Sequence, residues 1–385
     1  MYSNKKSFLI VTASIGSGHN RAAEAIGNEI KIKYPQAEIH IVDFMSTKTA
    51  YLNGILKEAY LKMLSLVPDM YEFLYSFTRG KFQGFSVQSL LALAMKNDME
   101  SLVRRYHADV VICTHPFPCA AAAYLKKTNQ VDVVLGGVIT DFSIHQLWVY
   151  KEVDLYFVGN ETLRSELAQK GIQEWRIYDT GIPIDSYFSQ SYDKVVLTKK
   201  LQLDIAIPII LIMGGGLGLG GVSIAIESLE QLHTKLQIIV VAGENQNLWT
   251  NLKLQASKSK HHIQVWGFSN TVQELMAVST MLISKPGALT ISEALAMELP
   301  MILNEPIPGQ EKENAAYVEN TGSAIWVKNS ANLANVVEDL ILKPEKLTEM
   351  RKQAKKYKKP NAAHDIVTNI ATYINKQEEV AVLSM

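Results

Sequence analysis

Short unbroken apolar runs recur along the chain, many followed by a segment whose apolar positions return every three or four residues. A run with no polar alternation is what a strand buried on both faces requires, and parallel sheets are the setting that buries strands in this way. In the first half the pattern predicts strands over residues 8–14, 39–44, 110–114, 133–140, 155–158 and 176–180, with an amphipathic helix over 21–33 joining the first two. After Asp193 the alternation restarts and predicts strands over 209–213, 238–242, 263–265, 281–283, 301–304 and 324–327. Two such series predict two doubly wound, Rossmann-like α/β domains with a cleft between them. The polar stretch over 184–203, with Ser189-Gln190-Ser191 inside it, reads as the hinge, and residues 362–374 read as an amphipathic terminal helix.

Two segments depart from the alternation. Residues 47–105 carry no strand pattern but are dense in large apolar side chains, among them Tyr60, Met63, Tyr71, Phe73, Phe77, Phe82 and Phe85, with Lys57, Lys62, Arg79, Lys81 and Lys96 interspersed. Such a segment is either helical packing around the α/β core or an apolar, partly basic surface that lies on a membrane. The second is a basic run, Lys343, Lys346, Arg351, Lys352, Lys355, Lys356, Lys358 and Lys359, opposed by Glu345 and Glu349. A solvated helix face explains it, and so does attraction to anionic headgroups at about 1 kcal/mol per cation near the surface.

Composition narrows the functional classes. The 385 residues suffice for two or three domains at about 150 residues each. With 48% hydrophobic and 20% charged residues, a folded chain with a core is expected. Lys plus Arg and Asp plus Glu number 38 each, without the basic excess of a general nucleic-acid binder. Cys113 and Cys119 are too few for a disulfide framework and lack zinc-type partners, which fits a reducing compartment. Lys5 and Lys6 before Phe8-Leu9-Ile10-Val11 imitate an export signal. The run is short, however, and leads into Gly16-Ser17-Gly18-His19 rather than a cleavage site, so it reads as a buried first strand. The uncharged run 205–226 is long enough to span a bilayer. Pro208 and Gly214, Gly215, Gly216, Gly218, Gly220 and Gly221 break any continuous helix, and strand, glycine loop and helix fit it better.

Five motifs carry candidate chemistry. Gly16-Ser17-Gly18-His19 lies between a strand and a helix, where glycine allows close backbone approach and the helix start offers unpaired N–H donors. No Lys-Ser/Thr follows it, and Arg21 stands where a dinucleotide fingerprint needs its third glycine. His19 is placed to act as a general base, or is a helix-start residue without chemistry. Gly214-Gly215-Gly216 opens a second glycine loop of the phosphate or nucleotide kind, with Glu244 a poorly spaced acidic partner for a nicotinamide site. In Lys285-Pro286-Gly287-Ala288-Leu289-Thr290, proline and glycine turn the chain into a helix whose first N–H groups face the strand end. A diphosphate suits that position, and Glu293 one turn on can accept from ribose hydroxyls. Pro308-Gly309-Gln310-Glu311 with Asn314 suits sugar hydroxyls. Thr140-Asp141, followed by His145 and Trp148, offers a second candidate base and two residues for an acceptor, or ordinary packing.

Together and in this order, these motifs resemble those of the family 28 GT-B glycosyltransferases. Within them the sequence is most similar to the diacylglycerol glycosyltransferases, the type that takes in bacterial processive diacylglycerol β-glucosyltransferases and plant monogalactosyldiacylglycerol synthases. The resemblance runs from Phe8 to about Val327. Ser17-Gly18 stands where the family often has Gly-Gly or Glu-Gly, and Ala288 where it often has a second glycine.

The resemblance implies a GT-B fold, with an N-terminal acceptor domain over 1–190 (helical insert about 47–105), a nucleotide-binding domain over 191–360, and a C-terminal helix over 361–385 returning to the first domain. It implies an inverting transferase that moves a hexose, glucose in first place, from a UDP-sugar to diacylglycerol or a glycosyl-diacylglycerol. His19 would be the base and Asp141 its rival. The donor would meet Gly18, Gly214, Gly215, Gly216, Phe268, Pro286, Gly287, Ala288, Leu289, Thr290, Glu293, Gln310, Glu311 and Asn314, with uracil near Gly267-Phe268. His145 and Trp148 would face the acceptor. The scheme requires no metal and no cofactor, and no Asp-x-Asp motif suggests one. The expected location is cytoplasmic, peripheral on the inner face of the cell membrane, with an anionic lipid surface as partner. The 47–105 segment would then draw the lipid from the bilayer. Competing readings are a UDP-sugar epimerase of the same fold, a nucleotide-sugar-binding regulator, and a transferase for a peptidoglycan precursor.

Overall fold

The computed structural model describes residues 5–14, 17–46, 84–216, 221–307 and 309–383. Residues 47–83 of the aromatic-rich segment, Gly16, Gly218, Gly220 and Pro308 lie outside the described residues. The chain divides into two units, Met1–Asp185 with Asn361–Met385, and Ser186–Pro360.

In the first unit β1 (Ser7–Thr12) passes through α1 (Ser17–Lys33) to β2 (Glu38–Asp43). Then come α2 (Gly84–Arg105), β3 (Val110–Cys113), α3 (Pro116–Lys127), β4 (Val134–Val138), β5 (Leu155–Phe157), α4 (Glu161–Gln169) and β6 (Ile177–Tyr178). The strands form one parallel sheet in the order β2-β1-β3-β4-β5-β6. β1 is buried throughout, and alternate residues feed two cores. Phe8 and Ile10 pack with Ala23, Ile26 and Ile30 of α1, while Leu9 and Val11 pack with Met99 of α2 and Leu125 of α3. Burial on both faces is the physical reason β1 reads as an unbroken apolar run.

The second unit begins with a short 3-10 turn, Ser186–Ser189, and α5 (Lys194–Lys200). The stretch read as a hinge is therefore partly helical. Asp193 caps α5 by accepting the N–H groups of Val195 and Val196, and Leu197 and Leu201 are buried. Next come β7 (Ile209–Met213), α6 (Val222–Leu229), β8 (Gln237–Val241), α7 (Gln246–Ala256), β9 (His262–Trp266), α8 (Val272–Val278) and β10 (Met281–Ser284). The unit ends with α9 (Ala288–Ala296), β11 (Met301–Leu303), α10 (Gln310–Asn320), β12 (Ala324–Trp326), α11 (Leu333–Leu342) and α12 (Pro344–Tyr357). Its sheet is also parallel, in the order β12-β11-β10-β7-β8-β9. The uncharged 205–226 run resolves into β7 and the start of α6, and no helix among the described residues is long and apolar enough to cross a membrane.

The final helix, α13 (Ala362–Leu383), belongs to the first unit. Ile366, Val367, Ile370 and Ile374 recur at helical spacing and join the core that holds Phe8, Ile10 and Ile26. Burying each such side chain contributes about 1.5–3 kcal/mol. Ile370→Ala, at a fully buried position, is expected to destabilise the unit by about 2–5 kcal/mol, read as a lowered midpoint in urea unfolding.

The basic run lies mostly on α12, which turns Leu347, Met350 and Ala354 inward. Lys343 and Lys346 pair with Asp339, Lys352 with Glu349, and Lys358 with Glu298. Part of the run is thus accounted for by ion pairs, three of them exposed and close along the chain, and such surface pairs are individually weak.

Candidate functional site

In a doubly wound parallel sheet the chain leaves one strand pair in opposite directions, and the loops at their carboxyl ends diverge to leave a ligand-binding crevice. In the first unit that pair is β1 and β3, since β1 runs on to β2 on one side while β3 leads to β4 on the other. The turn after β1 delivers Ser17, Gly18 and His19 at the start of α1. The turn after β3 is Thr114-His115-Pro116, and β4, the next strand along, ends just before Thr140-Asp141.

These three strand ends converge on His19. Its Nδ1 lies 2.9 Å from the Thr114 carbonyl oxygen and 2.8 Å from Thr140 Oγ1. Thr140 Oγ1 donates to the same carbonyl at 3.2 Å, and Thr114 Oγ1 donates to the His19 carbonyl at 3.1 Å. The His115 ring meets that of His19 edge-on, with centroids 4.8 Å apart. His115 is itself buried and caps α3, its Nδ1 accepting the Phe117 N–H at 3.2 Å. Removal from water pushes the His19 pKa down to about 4, against a smaller upward pull from the Thr114 hydrogen bond. Burial, then the neighbouring His19 and His145, hold His115 well below the ordinary histidine value. Both imidazoles are therefore neutral near pH 7, the state a general base needs.

Among the remaining first-unit residues the structure makes distinctions that the sequence does not. Asp141 follows Thr140 directly and is half-buried. His145 caps the short Gln146–Trp148 turn, its Nδ1 accepting the Leu147 N–H at 3.2 Å. Trp148, expected at the acceptor, is instead 3% exposed within the core that contains Leu125 and Tyr156, and its carbonyl accepts the Tyr156 hydroxyl at 2.7 Å. Its position identifies it as a packing residue. Sequence reasoning passed over Thr114 and His115. Their signal is Thr-His-Pro at a strand end, the proline opening a helix and the histidine capping it.

In the second unit the divergent pair is β7 and β10, because β7 leads to β8 and β10 leads to β11. The three adjacent strands β7, β10 and β11 are each followed by a helix whose N-cap is a glycine, Gly221, Gly287 and Gly309, with no side-chain cap. At α9 the Gly287 carbonyl takes the Ile291 N–H at 3.0 Å. The N–H groups of Ala288, Leu289 and Thr290 have no partner within the helix and project from its positive end.

Lys285 supplies a full charge beside these donors. A Cβ on Gly287 would lie 3.5 Å from its Nζ, and one on Gly215 would lie 3.2 Å from its Cε. The ammonium therefore stands between the glycine turn after β7 and the first turn of α9. It pairs with the Glu311 carboxylate, whose other oxygen accepts the Ile307 N–H at 2.8 Å. Glu311, expected at the sugar, is thus buried and already engaged. Asn314 is fully buried and donates Nδ2–H to the Pro286 carbonyl at 3.2 Å, tying α10 to the turn before α9. A cation beside aligned backbone donors at a helix start is the arrangement that suits an anion.

Other expected donor residues border the same sheet edge. Gly214 is buried at the end of β7, and the turn through Gly215 and Gly216 lies against Gly243. A Cβ on Gly243 would meet the Gly216 carbonyl oxygen at 2.4 Å, and its φ is +65°, so only glycine fits. Exposed Glu244 donates its backbone N–H to that carbonyl at 3.0 Å. Phe268 follows β9 and is 50% exposed, Glu293 is 7% exposed on α9, and Gln310 opens α10 half-buried. Among the described residues no three or more His, Cys, Asp or Glu side chains gather to hold a metal ion.

Residues 19–184 match the family model described as monogalactosyldiacylglycerol (MGDG) synthase, and residues 209–366 match the glycosyltransferase family 28 C-terminal domain. The chain is 31% identical over 363 residues to the processive diacylglycerol β-glucosyltransferase of Bacillus cereus (strain ATCC 10987 / NRS 248), covering 94% of this chain and 92% of that protein. Among solved structures, a glycosyltransferase from Rickettsia africae superposes with a TM-score of 0.60 at 17% identity, over 97% of this chain and 99% of that one. A UDP-GlcNAc 2-epimerase from Neisseria meningitidis bound to UDP-GlcNAc superposes with a TM-score of 0.57 at 15% identity, over 95% and 100%. Transferase and epimerase share the fold, so the fold alone does not choose between them.

Proposed function

The chain belongs to the diacylglycerol glycosyltransferase family, and on that premise we propose that it moves a hexose from a UDP-sugar to the hydroxyl of diacylglycerol or of a glycosyl-diacylglycerol, inverting the anomeric carbon. The supporting observation is the anion site at the β7/β10 divergence, where Lys285 stands beside the uncapped start of α9. The donor diphosphate takes this site, with uracil against Phe268, the ribose at Glu293, and the sugar near Gln310 and the Gly214–Gly216 turn.

The chemistry then divides between the units, one supplying the base and the other holding the donor. His19 Nε2 takes the proton from the acceptor hydroxyl. The hydroxyl oxygen attacks the anomeric carbon from the face opposite UDP, and the bond from that carbon to the β-phosphate oxygen breaks with its electron pair leaving on UDP. The α9 amides and Lys285 stabilise the charge that builds on the departing diphosphate. On this reading the enzyme is a peripheral protein that works on the inner face of the cell membrane, where its acceptor lies.

Incubation with UDP-glucose or UDP-galactose and diacylglycerol vesicles is expected to give a β-hexosyl lipid, identified by chromatography and mass spectrometry. Transfer from neither sugar would remove the proposal, and conversion of the UDP-sugar without lipid would favour an epimerase. Glu293→Ala is expected to weaken UDP binding in calorimetry, and unchanged affinity would take the ribose role from Glu293.

A further inference from the structure

Hydrogen-bond chemistry decides which nitrogen of His19 carries its proton. A carbonyl oxygen only accepts, and the Thr114 carbonyl lies 2.9 Å from His19 Nδ1. If Nδ1 were bare, two lone pairs would face each other at hydrogen-bond distance, so Nδ1 must bear the hydrogen. The Thr140 hydroxyl, 2.8 Å from the same nitrogen, then cannot donate to it and turns its own hydrogen to the Thr114 carbonyl at 3.2 Å. That carbonyl uses both lone pairs, and Thr140 Oγ1 offers a second acceptor to the Nδ1 hydrogen. The Thr114 hydroxyl closes the arrangement from the other side by donating to the His19 carbonyl at 3.1 Å, which ties the start of α1 to the end of β3. Among the described residues His19 Nε2 has no hydrogen-bond partner.

We infer that Thr140 is a positioning residue of the transfer reaction: with the Thr114 carbonyl it fixes His19 in the Nδ1–H tautomer and leaves the Nε2 lone pair for the acceptor hydroxyl. This rests on His19 being the base. It goes further by assigning roles to a backbone carbonyl and a hydroxyl. In many enzymes a carboxylate orients a basic imidazole through the nitrogen that does not react. Here a neutral pair does so. When Nε2 takes up the proton, the Nδ1–H···O=C bond becomes charge-assisted and strengthens in the state that follows proton transfer. The His115 ring, edge-on at 4.8 Å, limits tilting of the imidazole from the other side. Its own Nδ1 is occupied by the Phe117 N–H, so its proton sits on Nε2 and it cannot take that of His19.

The test reads tautomer and turnover separately. In nitrogen NMR of the full chain labelled at histidine, His19 is expected to show a protonated Nδ1 and a bare Nε2 at neutral pH. A protonated Nε2 would overturn the inference and with it the Nε2 base step, whereas hexose transfer itself is judged separately by product formation with the UDP-sugars. Thr140→Val keeps the side-chain shape and removes the hydroxyl. It is expected to lower kcat for hexose transfer about tenfold or more, leave KM for the UDP-sugar unchanged, and mix the tautomers of His19. Thr140→Ser, which keeps the hydroxyl, is expected to restore both the tautomer and kcat. Wild-type tautomer and kcat in Thr140→Val, or failure of Thr140→Ser to restore them, would remove Thr140 from this role.

Discussion

His19→Ala is expected to lower the rate of hexose transfer by about 10²–10⁴-fold, the range a positioned general base contributes, while leaving UDP affinity nearly unchanged. The split follows from where His19 stands. It lies at the divergence of the first sheet, held by Thr114 and Thr140, whereas the proposed donor site at the start of α9 belongs to the other unit. The pH profile is a second readout. Desolvation pushes the His19 pKa down to about 4, and a base works only unprotonated. The acid limb of kcat/KM is therefore expected near that value rather than near the ordinary histidine value of about 6.5. Stability carries the same sign. Unfolded His19 takes up its proton at the ordinary value and folded His19 only at the lower one, so its contribution is full above that window and declines as pH falls through it. A kcat unchanged in His19→Ala would move the base role to Asp141, and an acid limb at the ordinary histidine value would show that His19 is not desolvated in the working enzyme.

The largest loss of donor affinity is expected from Lys285→Ala. This substitution removes the one full positive charge placed at the start of α9 by the described contacts and leaves the buried Glu311 carboxylate unpaired, facing the site of an anion. Breaking a buried pair from one side typically costs about 3–5 kcal/mol, because the remaining charge is uncompensated. UDP affinity is expected to fall by about tenfold or more, and the folded state is expected to weaken as well. The double variant Lys285→Ala/Glu311→Gln separates the two effects. It is expected to recover stability in urea unfolding but not UDP affinity in calorimetry. Full recovery of UDP binding in the double variant would mean that Lys285 serves only to neutralise Glu311.

Much of the fold was legible because burial on both faces leaves a local mark. β1, β3, β7 and β8 are parallel strands inside their sheets, and each shows as a short apolar run. β6, a two-residue edge strand, kept the smallest share of its expected length, since an edge position demands little of its sequence. The boundary between the two units, at Asp185/Ser186, falls inside the 184–203 stretch, while α5 within it stayed hidden because it is capped by Asp193 and turns only Leu197 and Thr198 inward, so its polar surface looks like a linker.

At the site, the residues legible in advance were those at strand-to-helix turns. Gly287 and the first turn of α9 announce themselves through proline and glycine after an apolar run. What the sequence hid was contact between turns distant along the chain. Thr114 and Thr140 reach His19 only because β3 lies beside β1 and β4 beside β3, over separations of 95 and 121 residues. Lys285 and Glu311 meet because β10 pairs with β11. Trp148 misled for the opposite reason: a tryptophan after a polar turn reads the same whether it faces solvent or, as here, fills the core.

The central claim is that the start of α9 holds the donor diphosphate, and a structure of the chain with UDP bound tests it most directly. Phosphate oxygens are expected at about 3 Å from the N–H groups of Ala288, Leu289 and Thr290, with Lys285 turned to them and the uracil against Phe268. A nucleotide bound away from that turn, with the α9 amides untouched, would contradict it.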